Sequence, residues 1–141
     1  MRRMTEDEWR AFVMEGTRTA KVATMRDDGR PHVVPVWFVL DGTEVVFTTG
    51  TSSVKGKALR RDPRACVCVD DQAPPFAFVM IEGTVTVSDD LSDLREWATR
   101  IGGRYMGAER GEEFGMRNAV EGEQLIRLRP THVLAEADLA A

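Results

Sequence analysis

The sequence predicts a mainly β, antiparallel, barrel-like domain carrying a few short helices. Two observations predict it. Six or seven β-rich runs are present, and several follow one another through tight turn signals such as Asp28-Gly29 and Asp41-Gly42. The helical stretches are few and do not alternate with the strands as a doubly wound parallel sheet requires. With 141 residues, 43% hydrophobic and 30% charged, the chain has the size and balance of one core, so a single domain over 1–141 is expected.

Thr5 followed by Glu8 is a capping box, and Trp9, Phe12 and Val13 share one face of a helix over Thr5 to Glu15 that Gly16 stops. A strand is expected from Thr17 to Met25 and another from Pro31 to Leu40, joined by the Asp27-Asp28-Gly29 turn. Glu44 to Thr49 is a third strand. Ser52 or Ser53 caps a helix to about Arg61, with Val54, Ala58 and Leu59 inward, and Asp62-Pro63 ends it. Ala65 to Asp70 and Phe76 to Val87 are strands, the second with a bulge or bend at Gly83. A helical region starts at Ser88, with Leu91, Leu94, Trp97, Ala98 and Ile101 inward, and is interrupted by Gly102-Gly103. Gly107 to Asn118 suits further helical turns. Two short strands, Gln124 to Arg129 and Thr131 to Ala135, are split by Pro130. Trp9 and Trp97 are expected in the core, and Met80, Met106 and Met116 as gap fillers there.

A net charge of −4 argues against general nucleic-acid binding. No apolar run approaches the roughly 20 residues of a membrane span, and Met1-Arg2-Arg3 leads into an acidic helix, so a cytoplasmic protein away from membranes is expected. Cys66 and Cys68 fall on one side of a strand, too close for an ordinary disulfide, and no second cysteine pair or ligand-like histidine spacing suggests a metal.

Chemistry concentrates between Thr48 and Arg61. Thr49, Gly50, Thr51, Ser52 and Ser53 join a strand end to a helix start, and Lys55, Lys57, Arg60, Arg61 and Arg64 follow. Unpaired N–H groups at a helix start, hydroxyls and an ammonium together hold a phosphate. A capped, solvated surface helix fits the same pattern equally well. The segment is not a Walker A loop, since Lys57 precedes alanine.

The order Val22-Ala23-Thr24-Met25, Asp28-Gly29-Arg30-Pro31-His32, Val34-Pro35-Val36-Trp37-Phe38, Lys55-Gly56-Lys57-Ala58-Leu59-Arg60-Arg61-Asp62-Pro63-Arg64 and Ile81-Glu82-Gly83 resembles the pyridoxamine 5'-phosphate oxidase-like superfamily. More narrowly, it is similar to the actinobacterial F420-dependent oxidoreductases of the B group. The resemblance spans roughly residues 5 to 135. It implies a split β-barrel of the FMN-binding-protein type, a homodimer with cofactor sites between the two chains, and coenzyme F420, with FMN as the alternative. It further implies a phosphate near the strand-end hydroxyls and the positions Ser53, Lys55 and Lys57, a ring against the strand Pro35-Val36-Trp37-Phe38, and a pocket completed by the second chain's region matching Pro75-Phe76-Ala77-Phe78; the hydroxyls of Thr49 and Ser52 and the charge of Arg60 are candidate contacts from the residues themselves.

The implied activity is hydride transfer from reduced deazaflavin to an activated double bond of a small organic substrate, with no catalytic side chain required beyond binding and shielding. A flavin oxidoreductase or a cofactor carrier on the same fold are the alternatives. Trp37 reads either as the wall of a substrate site or as a core aromatic. His32, Tyr105 and water are the candidate proton donors. Arg117-Asn118 and the acidic run Glu109 to Glu113 are expected in a solvated or interfacial segment, or near a pocket mouth.

Overall fold

The computed structural model describes residues 1–141 and arranges eight strands in one sheet. In chain order the elements are β1 (Arg2–Arg3), α1 (Glu6–Met14), β2 (Ala20–Met25), β3 (Pro31–Val36), β4 (Val39–Asp41), β5 (Glu44–Gly50), α2 (Val54–Arg61), β6 (Arg64–Asp71), β7 (Ala77–Ser88), α3 (Leu91–Met106), a 3-10 turn (Ala108–Arg110), α4 (Gly111–Asn118) and β8 (Glu123–Ala137). The strand order is β3-β2-β6-β7-β8-β5-β4, with β1 beside β8, and every pairing is antiparallel. β3 and β4 stand at opposite ends of this order, yet only Trp37 and Phe38 separate them in sequence. The chain itself therefore bridges the two edges where no ladder does, which gives the expected split barrel.

Alternation decides the inside. On β2, Ala20, Val22 and Thr24 are buried while Ala23 and Met25 are exposed; Val67 and Val69 on β6 and Val79 and Ile81 on β7 continue the inner surface. α1 adds Trp9 and Val13 to this core, its first turn fixed by the Thr5–Glu8 capping box. A second cluster forms where Leu94, Trp97 and Ile101 of α3 pack against Val39, Val46 and Leu125. Trp9 and Trp97 are thus core residues, as expected. Met106 and Met116 are not: both are exposed.

Other local expectations give way to long-range contacts. Pro31 to Leu40 is not one strand, because both backbone groups of Phe38 are taken by side chains of α3. Its N–H donates to Tyr105 Oη at 3.2 Å and its carbonyl accepts from Arg104 Nη1 at 2.7 Å. The first hairpin strand starts at Ala20 rather than Thr17.

Gly102-Gly103 does not interrupt α3. A Cβ on Gly102 would lie 2.5 Å from Phe114 Cβ, so this glycine lets α4 pack directly on α3. That contact offsets the roughly 1 kcal/mol that a glycine costs in a helix. Pro130 does not split the last strand either. It lies opposite Gly83, where the β7–β8 register shifts, so its missing N–H falls where the ladder is already irregular. The expected irregularity at Gly83 is present, and a Cβ there would meet Arg129 O at 2.1 Å.

Candidate functional site

The β5–α2 junction is a tightly tied loop. Ser53 caps α2: its Oγ accepts from Gly56 N at 3.0 Å and donates to Gly50 O at 2.9 Å, with Thr49 Oγ1 2.9 Å away. Thr51 N donates to Gly122 O at 2.8 Å, and the buried Gln124 reaches Gly56 O with Nε2 at 3.3 Å. Gly56 is required by contact rather than by dihedral angle, since a Cβ there would stand 2.2 Å from Gly50 O.

Thr49 is only 4% exposed, and its hydroxyl partner is Ser53. Both hydroxyls therefore shape the loop from within. Ser52 is exposed, and the N–H groups of Val54 and Lys55, as those of the first two helical residues, have no intrahelical acceptor. Lys55 stands beside them, half-buried, with no carboxylate within 4.0 Å. Burial pushes its ammonium below the usual lysine range, and the charge of Glu123 only opposes this. Glu123 itself is raised by burial against the pull of Lys55. Val54 is 42% exposed instead of inward, while Ala58 and Leu59 are buried as expected.

The structure separates the remaining cations into different duties. Arg60 Nη2 donates to Thr51 O at 2.7 Å, bracing the loop and holding its charge beside it. Arg61 reaches the Met25 carbonyl on the β2–β3 hairpin. Arg64 is paired with Asp62 at 2.8 Å, and hydrogen bonds from its side chain and backbone hold the Asp62 carboxyl down to about 2. Lys57 is exposed and free of carboxylates within 4.0 Å.

Along β3, Pro35 is exposed and Trp37, just past the strand, is 38% exposed on the same side. Val36 points the other way. At 9% exposure its side chain belongs to the core, turned away from Pro35 and Trp37. Trp37 is stacked on Tyr105, with centroids 5.0 Å apart and planes 6° from parallel, and meets Phe114 at 5.6 Å. Tyr105 Oη donates to Arg18 O at 2.6 Å while accepting from Phe38 N, so its proton is engaged in the fold. Burial also raises its pKa. His32 Nδ1 is buried without a partner, but no feature of its surroundings marks it as a donor to substrate.

Pro75 and Phe76 line a different cleft, of about 690 Å³, with Met4, Phe12 and Arg18. They lie beside Ala137 at the end of β8, whereas Lys55 lies near Glu123 at its start. Phe78 faces outward on β7 and is half-buried. Within one chain, Ser53 and Lys55 are thus not brought together with Pro75, Phe76 and Phe78. None of the chain's four main clefts includes Lys55. Sequence reading missed Gly56, Gln124 and Glu123 around the loop and Arg104 behind Trp37. Only Gly56 carried a signal, as a glycine inside a helix start.

No helix is long and apolar enough to cross a membrane, and no cluster of metal-binding side chains is present. The chain is 30% identical over 99 residues, 70% of its own length and 71% of the relative's, to the F420H(2)-dependent biliverdin reductase of Mycobacterium tuberculosis. Its fold matches a conserved hypothetical protein from Mycobacterium tuberculosis with a TM-score of 0.83 at 26% identity, covering 96% of this chain and 86% of that one. The structure of an F420 reductase matches with a TM-score of 0.69 at 23% identity, over 87% of this chain and 94% of that one. The family model described as pyridoxamine 5'-phosphate oxidase matches residues 5–136, nearly the whole split barrel, and the chain belongs to that family.

Proposed function

We propose that the protein is an F420H2-dependent reductase, passing a hydride to an activated double bond of a small organic acceptor, with its cofactor sites formed between two copies of the chain. The observation that carries this reading is Lys55, a half-buried cation without a carboxylate within 4.0 Å, beside two N–H groups at a helix start that have no intrahelical acceptor. Such a group gains most from a bound anion, because its solvation is already reduced. The donor set fits a phosphate: Lys55, the Val54 and Lys55 N–H groups and the Ser52 hydroxyl lie together on a loop that Ser53 and Gly56 hold rigid.

F420 is favoured over FMN on two grounds. The relative named F420H(2)-dependent biliverdin reductase is 30% identical. Lys57 and Arg60 also extend positive charge beyond what one phosphate needs, which suits a longer anionic tail. When bound, the reduced deazaflavin supplies the hydride itself. The chain's residues orient and shield. Pro35 and Trp37 offer an outward wall for the ring, and Pro75, Phe76 and Phe78 of a second copy would close the site from water. The outer sheet face, with Val33 64% exposed beside Ala23, Cys66 and Met80, is suited to that second copy.

The test is a fluorescence titration of the purified protein with F420 and, separately, FMN at two salt concentrations, alongside Lys55→Ala and light scattering for the dimer. Salt-weakened binding that prefers F420 is expected. Lys55→Ala should lose a charge-assisted contact of about 1.5–3 kcal/mol, roughly tenfold to a hundredfold in affinity, with its fold intact. Unchanged affinity would sink the phosphate assignment. A preference for FMN would transfer the reading to a flavin enzyme, and tight binding without acceptor-dependent bleaching would make the protein a carrier.

A further inference from the structure

The turn between β6 and β7 holds a bulky residue in a conformation that such residues avoid. Phe76 has φ 63°, in the left-handed region where a Cβ crowds the backbone. Such strain persists only where the surroundings over-determine it, and it concentrates at ligand clamps. Here backbone bonds supply the constraint. Phe76 N donates to Ala73 O at 2.9 Å, the Phe76 carbonyl accepts from Leu139 N at 3.1 Å, and the Pro75 carbonyl accepts from Ala140 N at 2.9 Å.

The segment that supplies two of these bonds is itself fastened. β8 ends at Ala137, and Asp138, at φ 55°, opens a turn in which its carbonyl accepts from Ala141 N at 3.3 Å. Arg2 ties the start of that turn to the rest of the protein. Its Nε donates to Asp138 Oδ2 at 3.3 Å and its Nη1 to Glu8 Oε2 at 2.6 Å, so β1, α1 and the segment after β8 meet at one side chain. On the other flank, Asp71 accepts from Ala73 N at 2.9 Å and lies 3.7 Å from Arg18. Phe76 nonetheless stays 39% exposed, lining the cleft it shares with Met4 and Phe12. A core aromatic is fixed by packing, whereas this one is fixed through its backbone and keeps apolar surface to offer.

We infer that Asp138, Leu139 and Ala140 form a clasp, braced by Arg2, that holds Phe76 in place for the cofactor site of the other copy in the dimer. The destination rests on the reductase reading, in which Phe76 of a second copy closes the site; the clasp rests on the bonds alone. Arg2 and Asp138 are therefore positioning residues that act across the subunit boundary.

The experiment compares Leu139→Pro, which removes the N–H that holds the Phe76 carbonyl, with Leu139→Ala, which keeps it. Residue 139 is exposed, and urea unfolding should find both variants folded; Arg2→Ala, on an exposed two-residue strand, takes the place of Leu139→Pro should that variant unfold. In the cofactor-free protein, amide exchange of Phe76 followed by NMR should be about fivefold faster in Leu139→Pro and unchanged in Leu139→Ala. F420 affinity, by fluorescence titration, should fall about fivefold in Leu139→Pro and about threefold in Arg2→Ala, and stay at the wild-type value in Leu139→Ala. Lys55→Ala and Leu139→Pro chains, co-expressed with different affinity tags and purified through both, give a heterodimer with one site of two intact halves and one that carries both lesions. One of its two sites should therefore bind F420 as the wild type does, although neither parent binds so; a role confined to one chain gives no such site. Unchanged exchange in Leu139→Pro overturns the clasp. Unchanged affinity in that variant, or a heterodimer without a wild-type site, overturns its action on the other copy. Failure of the wild type to bind F420 is a separate result: it refutes the reductase reading, and the exchange measurement still decides the clasp.

Discussion

Gly56→Ala sets helix propensity against loop packing, and the geometry predicts that packing wins. Alanine is favoured over glycine inside a helix by about 0.8–1 kcal/mol. Its Cβ, however, would stand 2.2 Å from Gly50 O, 3.0 Å from Ser53 Oγ and 3.2 Å from Gly50 C. Relief requires the loop to open by about 1 Å, since carbon atoms meet their neighbours at roughly 3.5 Å. The Gly50 carbonyl cannot yield alone, because it accepts from both Ser53 N and Ser53 Oγ. Loss of those bonds, at about 1 kcal/mol each, together with the usual strain of an overfilled site, exceeds the propensity gain. The variant should be about 1–2 kcal/mol less stable in urea unfolding, with an unchanged m value. Its anion affinity should fall as well, because the same movement displaces the Val54 and Lys55 N–H groups. A variant as stable as wild type, or more so, would refute the argument that contact rather than dihedral angle requires this glycine.

The other predictions concern the clamp and the charges. Tyr105→Phe keeps the stack on Trp37 but strands Phe38 N–H and Arg18 C=O; a loss of about 1–3 kcal/mol by denaturant unfolding is expected, and a loss below 0.5 kcal/mol on the scale of ordinary surface changes would show that water replaces the hydroxyl. Arg104→Lys cannot reach the carbonyls of Val13, Gly16 and Phe38 together, so it should cost about 2–4 kcal/mol, and a neutral result would remove the guanidinium from the account of the β3–β4 break. Asp62 titrates near 2, held down first by the Arg64 side chain; being depressed, it favours the folded state above its ordinary value of 3.8, and that contribution disappears as pH falls through about 2. Carboxyl NMR should show this low midpoint and its return toward 3.8 in Arg64→Ala; no movement would exclude the Arg64 side chain as the cause.

Much of the fold was legible because its signals are local. The Thr5–Glu8 capping box, the Ser53 cap, the stop at Asp62-Pro63 and the irregularity at Gly83 each depend on a few neighbouring residues, and each lies where the sequence places it. The opposed directions of Pro35 and Val36 follow from strand alternation, so the inward turn of the Val36 side chain was implicit in the same pattern.

The sequence by itself determined a capped loop rich in hydroxyls and cations leading from a strand into a helix, together with the alternating inner faces of an antiparallel barrel. Tertiary structure alone decided which of those groups face outward. Thr49 and Ser53 turn into the loop, Arg61 and Arg64 bind Met25 and Asp62, and Lys55 is left half-buried without an acid. It also decided where β3 ends, since Phe38 is held by residues 66 and 67 positions away. The physical reason is range. Caps and alternation are set within a turn or a strand, whereas the partner of a long cation or a freed backbone group depends on which distant element packs beside it.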